Sequence, residues 1–495
     1  MNGRFIIGID QSTQGTKALL VDECGALRAR ADVPHRQYVD SNGWVEHDPL
    51  EIASNTVTAV RRLLKETGVG GDSVAGVAIS NQRETCVAWD RKTGMPIHNA
   101  IVWQCPRAKD ICFELEKKKE PLWFKERTGL NLSPYFSAGK IAWLMKNVPS
   151  ARDLLRQGRL CCGTVDSWLV YRLTRERAFF TDYSNASRTQ LYNIKDLKWD
   201  QEVCGLFDVD PACLATVCPS DSCYGFTDFD GLLNDAAPIH AVLGDSHAAM
   251  FGQGCHTRGT VKATYGTGSS VMLHVGDKPV LAKDIVTSIA WGVGDRVEYV
   301  MEGNLNYTGA IVTWLKDDLN LISESREIAA LAALADEEDG TYLVPAFSGL
   351  GAPYWDPDSA AMLCGMTRRT GKNELARAAE EAIAYQIADV VFLMERETAL
   401  PITQLCVDGG PTNDAFLMQF QSDILAKEVL PSTVEELSGV GAAYCAGIAM
   451  GIFSRDALFA DVARKSYKPS MPSSLRDKKY AGWKAAVEAA MRYRA

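Results

Sequence analysis

The stretch Phe5-Ile-Ile-Gly-Ile-Asp-Gln-Ser-Thr-Gln-Gly-Thr16 joins an apolar, β-branched run to a polar turn that contains glycine. Such a run predicts a buried strand over residues 5–9, and the turn leads to a second strand over residues 17–21. A further turn precedes a third predicted strand over residues 27–33. The chain is therefore expected to open as a three-stranded meander.

Helices and strands alternate after this meander. Asp48 is placed to cap a helix that has Pro49 in its first turn and apolar residues recurring to Leu64. Residues 74–79 then form a short apolar strand. Strands followed by alternating helices and strands are typical of an α/β domain with a mixed sheet.

The second half of the chain restarts a similar pattern. Its opening turn, Thr264-Tyr-Gly-Thr-Gly-Ser-Ser270, again follows a strand and is rich in hydroxyls and glycine. Two related lobes around a cleft are therefore predicted, residues 1–252 and residues 253–495. The predicted strands of the second half lie within 259–273, 289–301 and 404–408, and its long helices are 373–396 and 438–450.

Composition and charge exclude several classes of protein. The 495 residues are too many for one core, so at least two domains are expected. The net charge of −10 argues against nucleic acid or an anionic membrane as the main partner. No run approaches 18 apolar residues and the first ten residues lack the apolar core of a signal peptide, so a cytoplasmic protein without membrane insertion is predicted. The 14 cysteines lack C-x-x-C spacing and are expected to be reduced thiols.

The two glycine-containing turns are candidates for phosphate binding. The chain has neither a Walker-type G-x-x-x-x-G-K-[ST] loop nor a dinucleotide G-x-G-x-x-G loop. Backbone amides and hydroxyls in a turn at a strand end can bind anions, although an ordinary hairpin turn has the same composition. Asp10, beside the first turn, is either a Mg²⁺-associated carboxylate or a turn former.

A second set of residues has the chemistry to bind a hydroxyl compound. Arg83 and Glu84 follow a predicted strand and either hold a hydroxyl between a donor and an acceptor or form a surface salt bridge. Trp103 and Tyr135 are candidates for an apolar wall, or else ordinary core aromatics. Asp245 follows a short apolar run at the predicted lobe junction, where a carboxylate could accept the proton of an attacking hydroxyl.

His247 competes with Asp245 for the role of base, because it lies two residues further along the same segment. Aspartate is favoured, since phosphoryl transfer to alcohols commonly relies on it.

Several longer motifs, taken in order, resemble the FGGY family of carbohydrate kinases along nearly the whole chain. Within that family they are most similar to the glycerol kinases. The first is Tyr135-Phe-Ser-Ala-Gly-Lys-Ile-Ala-Trp-Leu-Met-Lys-Asn147, and the second region is Val344-Pro-Ala-Phe-Ser-Gly-Leu-Gly-Ala-Pro-Tyr-Trp-Asp-Pro357. The further similar stretches are residues 43–49, 99–104, 181–188, 377–386 and 407–410.

The resemblance implies an α/β fold of two actin-like (ribonuclease-H-like) ATPase lobes that close over MgATP and a small polyol or sugar. It makes Asp245 the base and associates Mg²⁺ with Asp10 and Asp245. The positions implied for the acceptor are Arg83, Glu84, Trp103, Tyr135, Asp245 and Ser246. The positions implied for ATP are Ser12, Thr13, Gln14, Thr267, Gly309, Gly410 and Asp414.

The sequence departs from the glycerol kinase pattern at four places. Ser246 stands where a glutamine is usual, Cys105-Pro106 replaces Asp-Arg, and Thr313 and Asp414 replace a glutamine and an asparagine. These changes leave the acceptor open between glycerol and a pentulose or a tetritol. An actin-like ATPase without a sugar acceptor is the alternative from another class, and a homodimer or a larger homo-oligomer stays open.

Overall fold

Two six-stranded mixed sheets form the frame of the computed structural model, which describes residues 4–460 and 464–493. In the first sheet, β1 is antiparallel to β2 and parallel to β4, and β5 pairs with β4 in parallel. The order is β5-β4-β1-β2-β3, with the short strand Phe226–Thr227 outside β5. The strands are β1 (Phe5–Gln11), β2 (Gly15–Asp22), β3 (Leu27–Pro34), β4 (Val74–Asn81) and β5 (Ala237–Gly244).

The second sheet repeats this arrangement. Its central strand β6 is antiparallel to β7 on one side and parallel to β10 on the other, in the order β8-β9-β7-β6-β10-β11. Two related lobes are thus present, each opening on a strand, a turn and an antiparallel strand. The strands are β6 (Val261–Tyr265), β7 (Ser269–Gly276), β8 (Val286–Val293), β9 (Arg296–Leu305), β10 (Gln404–Asp408) and β11 (Glu428–Pro431).

A smaller five-stranded sheet is inserted in the first lobe, and the sequence analysis did not predict it. Its strands are Tyr38–Val39, Val45–His47, Ala100–Ile101, Cys86–Asp90 and Leu160–Thr164. The outlying short strands are Phe180–Asp182, Tyr192–Asn193, Lys198–Trp199, Thr216–Cys218, Tyr342–Val344 and Met362–Cys364.

Seven helices matter for the packing around the cleft. The predicted N-cap is confirmed at α1, where the Asp48 carboxylate accepts a hydrogen bond from the Leu50 amide, and the structure adds a C-cap at Gly68, with φ 67°. These helices are α1 (Pro49–Thr67), α2 (Ser137–Asn147), α3 (Asp245–Gly252), α4 (Lys372–Thr398), α5 (Ala415–Leu425), α6 (Leu437–Ala449) and α7 (Ser473–Arg492). The shorter helices are Lys109–Glu116, Pro121–Thr128, Pro149–Arg156, Val165–Leu173, Tyr183–Ala186, Gln201–Leu206, Gly309–Thr313, Glu327–Ala333 and Arg455–Ala460.

Helix α6 comes from the second half of the chain but packs on the first sheet and on α3. Glycine makes this close approach possible, because a Cβ on Gly8 would lie 2.5 Å from the Gly439 carbonyl oxygen and one on Gly441 would lie 1.9 Å from that of Ala248. The assignment of 253–495 to a single lobe stays a prediction, and α6 shows that this segment also completes the core of the first lobe.

The 14 cysteines are free thiols, as expected. Within residues 4–460 and 464–493, no helix combines the length and the apolar character needed to cross a bilayer.

Candidate active site

The first candidate phosphate turn joins β1 to β2 and is held by its own hydrogen bonds. The Ser12 amide donates to the Gly15 carbonyl oxygen at 2.8 Å, and the Ser12 hydroxyl donates to the same oxygen at 3.1 Å. Asp10, near the end of β1, is buried and accepts a hydrogen bond from the Ser80 hydroxyl at 3.1 Å. Burial raises the pKa of Asp10 to about 7, against the opposing effect of Lys17.

Three glycine-containing segments of the second lobe meet beside the second turn. The Gly309 amide donates to the Gly266 carbonyl oxygen at 2.9 Å, and the Thr308 amide donates to that of Thr267 at 2.9 Å. A Cβ on Gly309 would lie 2.7 Å from the Gly266 oxygen, and one on Gly409 would lie 1.9 Å from the Tyr265 oxygen. The structure therefore brings together Thr267, Gly309 and the segment that contains Gly410, although these lie far apart in the sequence.

Five charged side chains form a buried cluster at the lobe junction, here called the charged cluster: Asp245, Arg83, Glu302, Arg188 and Glu84. The Arg83 guanidinium donates to Asp245 Oδ1 from Nε at 3.0 Å and to both carboxylate oxygens of Glu302 at 2.8 Å. Arg188 donates from Nε to Glu84 Oε1 at 2.5 Å, and its Nη1 lies 2.9 Å from Glu302 Oε2. The cluster thus alternates carboxylates and guanidiniums from both lobes.

Burial and the neighbouring charges shift the pKa values of the charged cluster in different directions. Burial alone would raise the pKa of Glu302, but Arg188 and Arg83 hold it well below its ordinary value. Burial opposes the charge of Arg83, yet Glu302, Glu84 and Asp245 raise its pKa well above the ordinary value. For Glu84, burial outweighs Arg188 and Arg83, so its pKa is raised.

Asp245 is the member of the charged cluster that reaches the solvent. Its side chain is 35% exposed, whereas those of Arg83, Glu84, Arg188 and Glu302 are at most 5% exposed. Both of its contacts, with Arg83 Nε and with the Ser246 amide at 2.6 Å, use Oδ1. Oδ2 is therefore the oxygen left for a ligand within the described part of the chain.

Arg83 and Glu84 do not form the surface salt bridge that the sequence left open. Both are buried, and each pairs with a different partner of the charged cluster. Glu84 has φ 61°, and its carbonyl oxygen accepts the Ser137 hydroxyl of α2 at 2.9 Å. Its strained backbone is thus fixed from outside the turn.

The two aromatic candidates lie together beside this turn. The ring centroids of Trp103 and Tyr135 are 5.4 Å apart, and the Trp103 indole Nε1 donates to Thr13 Oγ1 at 3.0 Å. Burial raises the pKa of the Tyr135 phenol far above its usual range. Cys105, two residues after Trp103, is buried, and its sulfur accepts a hydrogen bond from Arg107 Nε at 3.0 Å.

His247, the rival base, is fully buried and its Nε2 lies 3.3 Å from the Ser288 hydroxyl. Burial and then Arg83 lower its pKa well below the ordinary value. It has no exposed surface from which to reach an acceptor, so the geometry favours Asp245.

Comparison with known proteins identifies the family. The N-terminal domain model of the FGGY family of carbohydrate kinases matches residues 5–252, and the C-terminal domain model matches residues 261–450. The chain belongs to this FGGY family. The predicted membership is thereby confirmed.

Individual relatives of this FGGY carbohydrate kinase match it from end to end. Glycerol kinase 1 of Thermotoga maritima is 45% identical over 98% of this chain and 99% of its own, and glycerol kinase of Symbiobacterium thermophilum is 44% identical over 99% of both. The structure of Plasmodium falciparum glycerol kinase with ADP has a TM-score of 0.93 at 32% identity and covers 99% of each chain. Gluconate kinase from Lactobacillus acidophilus, with a TM-score of 0.88 at 20% identity, shows the same fold.

These findings confirm the predicted fold and reaction class. The fold is that of the FGGY kinases, with two actin-like (ribonuclease-H-like) lobes, and the enzyme is a glycerol-kinase-like phosphotransferase with an alcohol group as acceptor. Family membership favours a kinase over an ATPase without a sugar acceptor. The roles of the individual site residues stay predictions.

Sequence reasoning missed two members of the charged cluster, Glu302 and Arg188. Glu302 follows Tyr299-Val-Met301 in a predicted strand, and an acidic residue after such an apolar run indicates a buried partner. Nothing in the sequence identifies that partner, because Arg83, Arg188 and Glu302 come from three distant segments.

Asp414, one of the positions implied for ATP, forms a pair of carboxyl groups with Glu380. Glu380 of α4 lies within hydrogen-bonding reach of Asp414, which caps α5 by accepting the Leu417 amide at 3.0 Å. Two carboxylates cannot hydrogen-bond unless one holds a proton. Burial, and then Asp414, raise the pKa of Glu380 well above its ordinary value, which favours a proton on Glu380.

We expect Glu380→Gln to remove a pH dependence of stability. The folded protein holds a proton on Glu380 that the unfolded chain releases above the ordinary pKa of 4.5. The stability from this proton is full below that pH and falls by about 1.4 kcal/mol per pH unit as the pH rises towards the folded pKa. Thermal unfolding between roughly pH 5 and pH 8 should show the variant gaining stability relative to the parent as the pH rises.

Glu397→Gln on the same helix is the matched control, because Glu397 pairs with exposed Arg396 at 3.0 Å. It should follow the parent at every pH. If the difference in stability between Glu380→Gln and the parent stayed constant across this pH range, the folded protein would not hold the expected proton on Glu380.

Proposed function

We propose that this FGGY kinase transfers the γ-phosphoryl group of MgATP to a terminal hydroxyl of glycerol or of a similarly small polyol, with Asp245 as the base. The observation that carries the proposal is the partly exposed Asp245 carboxylate on an otherwise buried charged cluster. Full-length relatives that are glycerol kinases at 44–45% identity support the choice of acceptor class.

The acceptor would lie between the charged cluster and the Trp103–Tyr135 wall. The aromatic rings suit carbon–hydrogen faces, and the carboxylates and Arg83 suit hydroxyls. Arg83 donates four hydrogen bonds, to Glu302, Asp245 and Ser246. Its main effect is therefore to hold the Asp245 side chain in place. A side chain fixed in this way is ready to orient the attacking oxygen.

In the reaction, the acceptor oxygen forms a bond to the γ-phosphorus as the bond from that phosphorus to the bridging oxygen breaks and ADP leaves. Asp245 accepts the hydroxyl proton, for which Oδ2 is the available oxygen. Amides and hydroxyls of the turns at Ser12–Gln14 and Thr267 would donate to the phosphates, and Gly309, Gly410 and Asp414 would lie beside the nucleotide.

Asp10 and Asp245 fit a magnesium ion that is bound together with the nucleotide. Mg²⁺ in such sites uses one or two carboxylates, with phosphate oxygens and water completing the coordination. Among the described residues, no group of three or more His, Cys, Asp or Glu side chains forms a ready metal site. When bound, Mg²⁺ neutralises charge on the phosphates.

Ser246 bears on the length of the acceptor. Its hydroxyl accepts a hydrogen bond from Arg83 Nη2 at 3.1 Å, so the side chain folds onto the charged cluster. A glutamine would extend further, with both a donor and an acceptor. The shorter Ser246 leaves space that a glutamine would fill, and it lacks the hydrogen bond that a glutamine could make to a three-carbon acceptor. Both differences support use of a four- or five-carbon acceptor, such as a tetritol or pentulose, beside glycerol.

Acceptor-dependent release of ADP tests the function. With glycerol, erythritol and xylulose, we expect turnover with glycerol and comparable kcat/KM for at least one longer acceptor. Ser246→Gln should shift the ratio towards glycerol by up to about tenfold, because one hydrogen bond is worth roughly 0.5–1.5 kcal/mol.

Ser270→Gln is the control, since Ser270 also bonds the charged cluster, through Glu302 at 2.9 Å, but lies on the second lobe. The change at Ser246 should favour glycerol more than the change at Ser270. Absence of turnover with every polyol and ketose would refute the function, whereas ratios unmoved by Ser246→Gln would refute only the role of Ser246.

A further inference from the structure

A closed ring of hydrogen bonds joins the first phosphate turn to the acceptor side of the site. The Trp103 indole Nε1 donates to Thr13 Oγ1 at 3.0 Å, and the Trp103 amide donates to Thr85 Oγ1 at 3.1 Å. The Thr85 hydroxyl donates to Gln82 Oε1 at 2.8 Å, and Gln82 Nε2 returns to the Ser12 carbonyl oxygen at 3.3 Å. We call these five residues the hydrogen-bonded ring.

Thr85 is the junction of this ring. Its side chain is fully buried, and its hydroxyl both accepts from Trp103 and donates to Gln82, so both of its bonds are fixed. Gln82 is also buried, and its backbone amide donates to the backbone carbonyl oxygen of Gln11 at 2.7 Å. Buried polar groups with defined partners hold one geometry, because any other would leave them unpaired.

Two members of the hydrogen-bonded ring, Gln82 and Thr85, flank the turn that contains Arg83 and Glu84. The Thr85 amide donates to the Arg83 carbonyl oxygen at 2.7 Å, and Glu84 has a positive φ. The hydrogen bond between the side chains of Gln82 and Thr85 thus holds the two ends of this turn together. A shift of Trp103 or of the Arg83–Glu84 turn is therefore transmitted to Ser12 and Thr13 through the hydrogen bonds of the ring.

We propose that Thr85 and Gln82 are positioning residues that couple acceptor binding to nucleotide binding. An acceptor seated on Trp103 and on the charged cluster fixes both ends of the ring and so orders the Ser12–Thr13 turn that faces the phosphates. This inference rests on the proposed function. It implies that each ligand tightens the binding of the other by the same factor.

The test is the Kd of MgADP measured by calorimetry with and without saturating glycerol. The parent should bind MgADP several-fold more tightly with glycerol. In Thr85→Val, which keeps the shape and removes the hydroxyl, we expect that ratio to fall at least twofold, towards one, because the ring loses two hydrogen bonds. Thr85→Ser retains the hydroxyl and should restore the parent ratio. A merely structural role would change both Kd values equally and leave the ratio unmoved.

Two further variants keep the result interpretable. Thr56→Val is the matched control, because the buried Thr56 hydroxyl bonds only within α1, to the Ile52 carbonyl oxygen at 2.9 Å, and should leave the ratio unchanged. Thr13→Val cuts the ring at the less buried end and should lower the ratio even if Thr85→Val does not fold.

A parent ratio within twofold of one, or a ratio kept by both Thr85→Val and Thr13→Val, would overturn the inference while turnover with glycerol still upheld the proposed function. Absence of turnover with any acceptor would remove the proposed function and this inference together.

Discussion

Asp245→Asn is expected to lower kcat by about 10²–10⁴-fold while leaving the fold intact. Asparagine has the size of aspartate, and its Oδ1 can still accept from Arg83 Nε and from the Ser246 amide, which now bond at 3.0 Å and 2.6 Å. The variant lacks the carboxylate oxygen that takes the proton. Steady-state release of ADP with glycerol, beside a thermal unfolding curve, measures both expectations.

Asp48→Asn is the matched control for this change. Asp48 also begins a helix, and asparagine caps a helix as well as aspartate does, so activity should stay at the parent level. If Asp245→Asn kept kcat within about threefold of the parent, Asp245 would not be the base, and the charged cluster would have only a binding role.

The local elements around this site were predictable because their causes are local. The strand and turn at residues 5–16 follow from an apolar run and a glycine, and α1 follows from Asp48, Pro49 and apolar spacing. The predicted strand at 404–408 and helices at 373–396 and 438–450 agree with the structure to within two residues at each end. Even so, the inserted five-stranded sheet was missed, since its strands are mostly two to five residues long.

The pairing of the site residues was not predictable, because it depends on contacts between distant segments. Arg83 and Glu84 are neighbours in sequence, yet one reaches Glu302 of the second lobe and the other reaches Arg188. Cys105 stands where the glycerol kinase pattern has an aspartate, but only the structure shows that its sulfur accepts a hydrogen bond from Arg107. Residue types thus indicate the chemistry, whereas the tertiary fold decides which charge meets which.

Glu302 is the residue on which this pairing depends most. It accepts two hydrogen bonds from Arg83, a third from the Ser270 hydroxyl at 2.9 Å, and lies beside Arg188, with 1% of its surface exposed. The buried guanidiniums of Arg83 and Arg188 need the negative charge of the Glu302 carboxylate, because removing one partner of a buried ion pair leaves the charge of the other uncompensated.

We therefore expect Glu302→Gln to destabilise the protein by about 3–5 kcal/mol and to lower its melting temperature by roughly 6 °C or more. Phosphoryl transfer should also fall, since Arg83 would lose the carboxylate that aims it at Asp245. Glu298→Gln, four residues earlier on β9, is the matched control: partly buried Glu298 accepts from the Trp291 indole at 2.7 Å and lies 3.3 Å from His274 Nε2, outside the charged cluster. This change should cost about 1 kcal/mol and spare activity. Equal destabilisation by the two variants would mean that the charged cluster is no more costly to break than the contacts of a partly buried carboxylate.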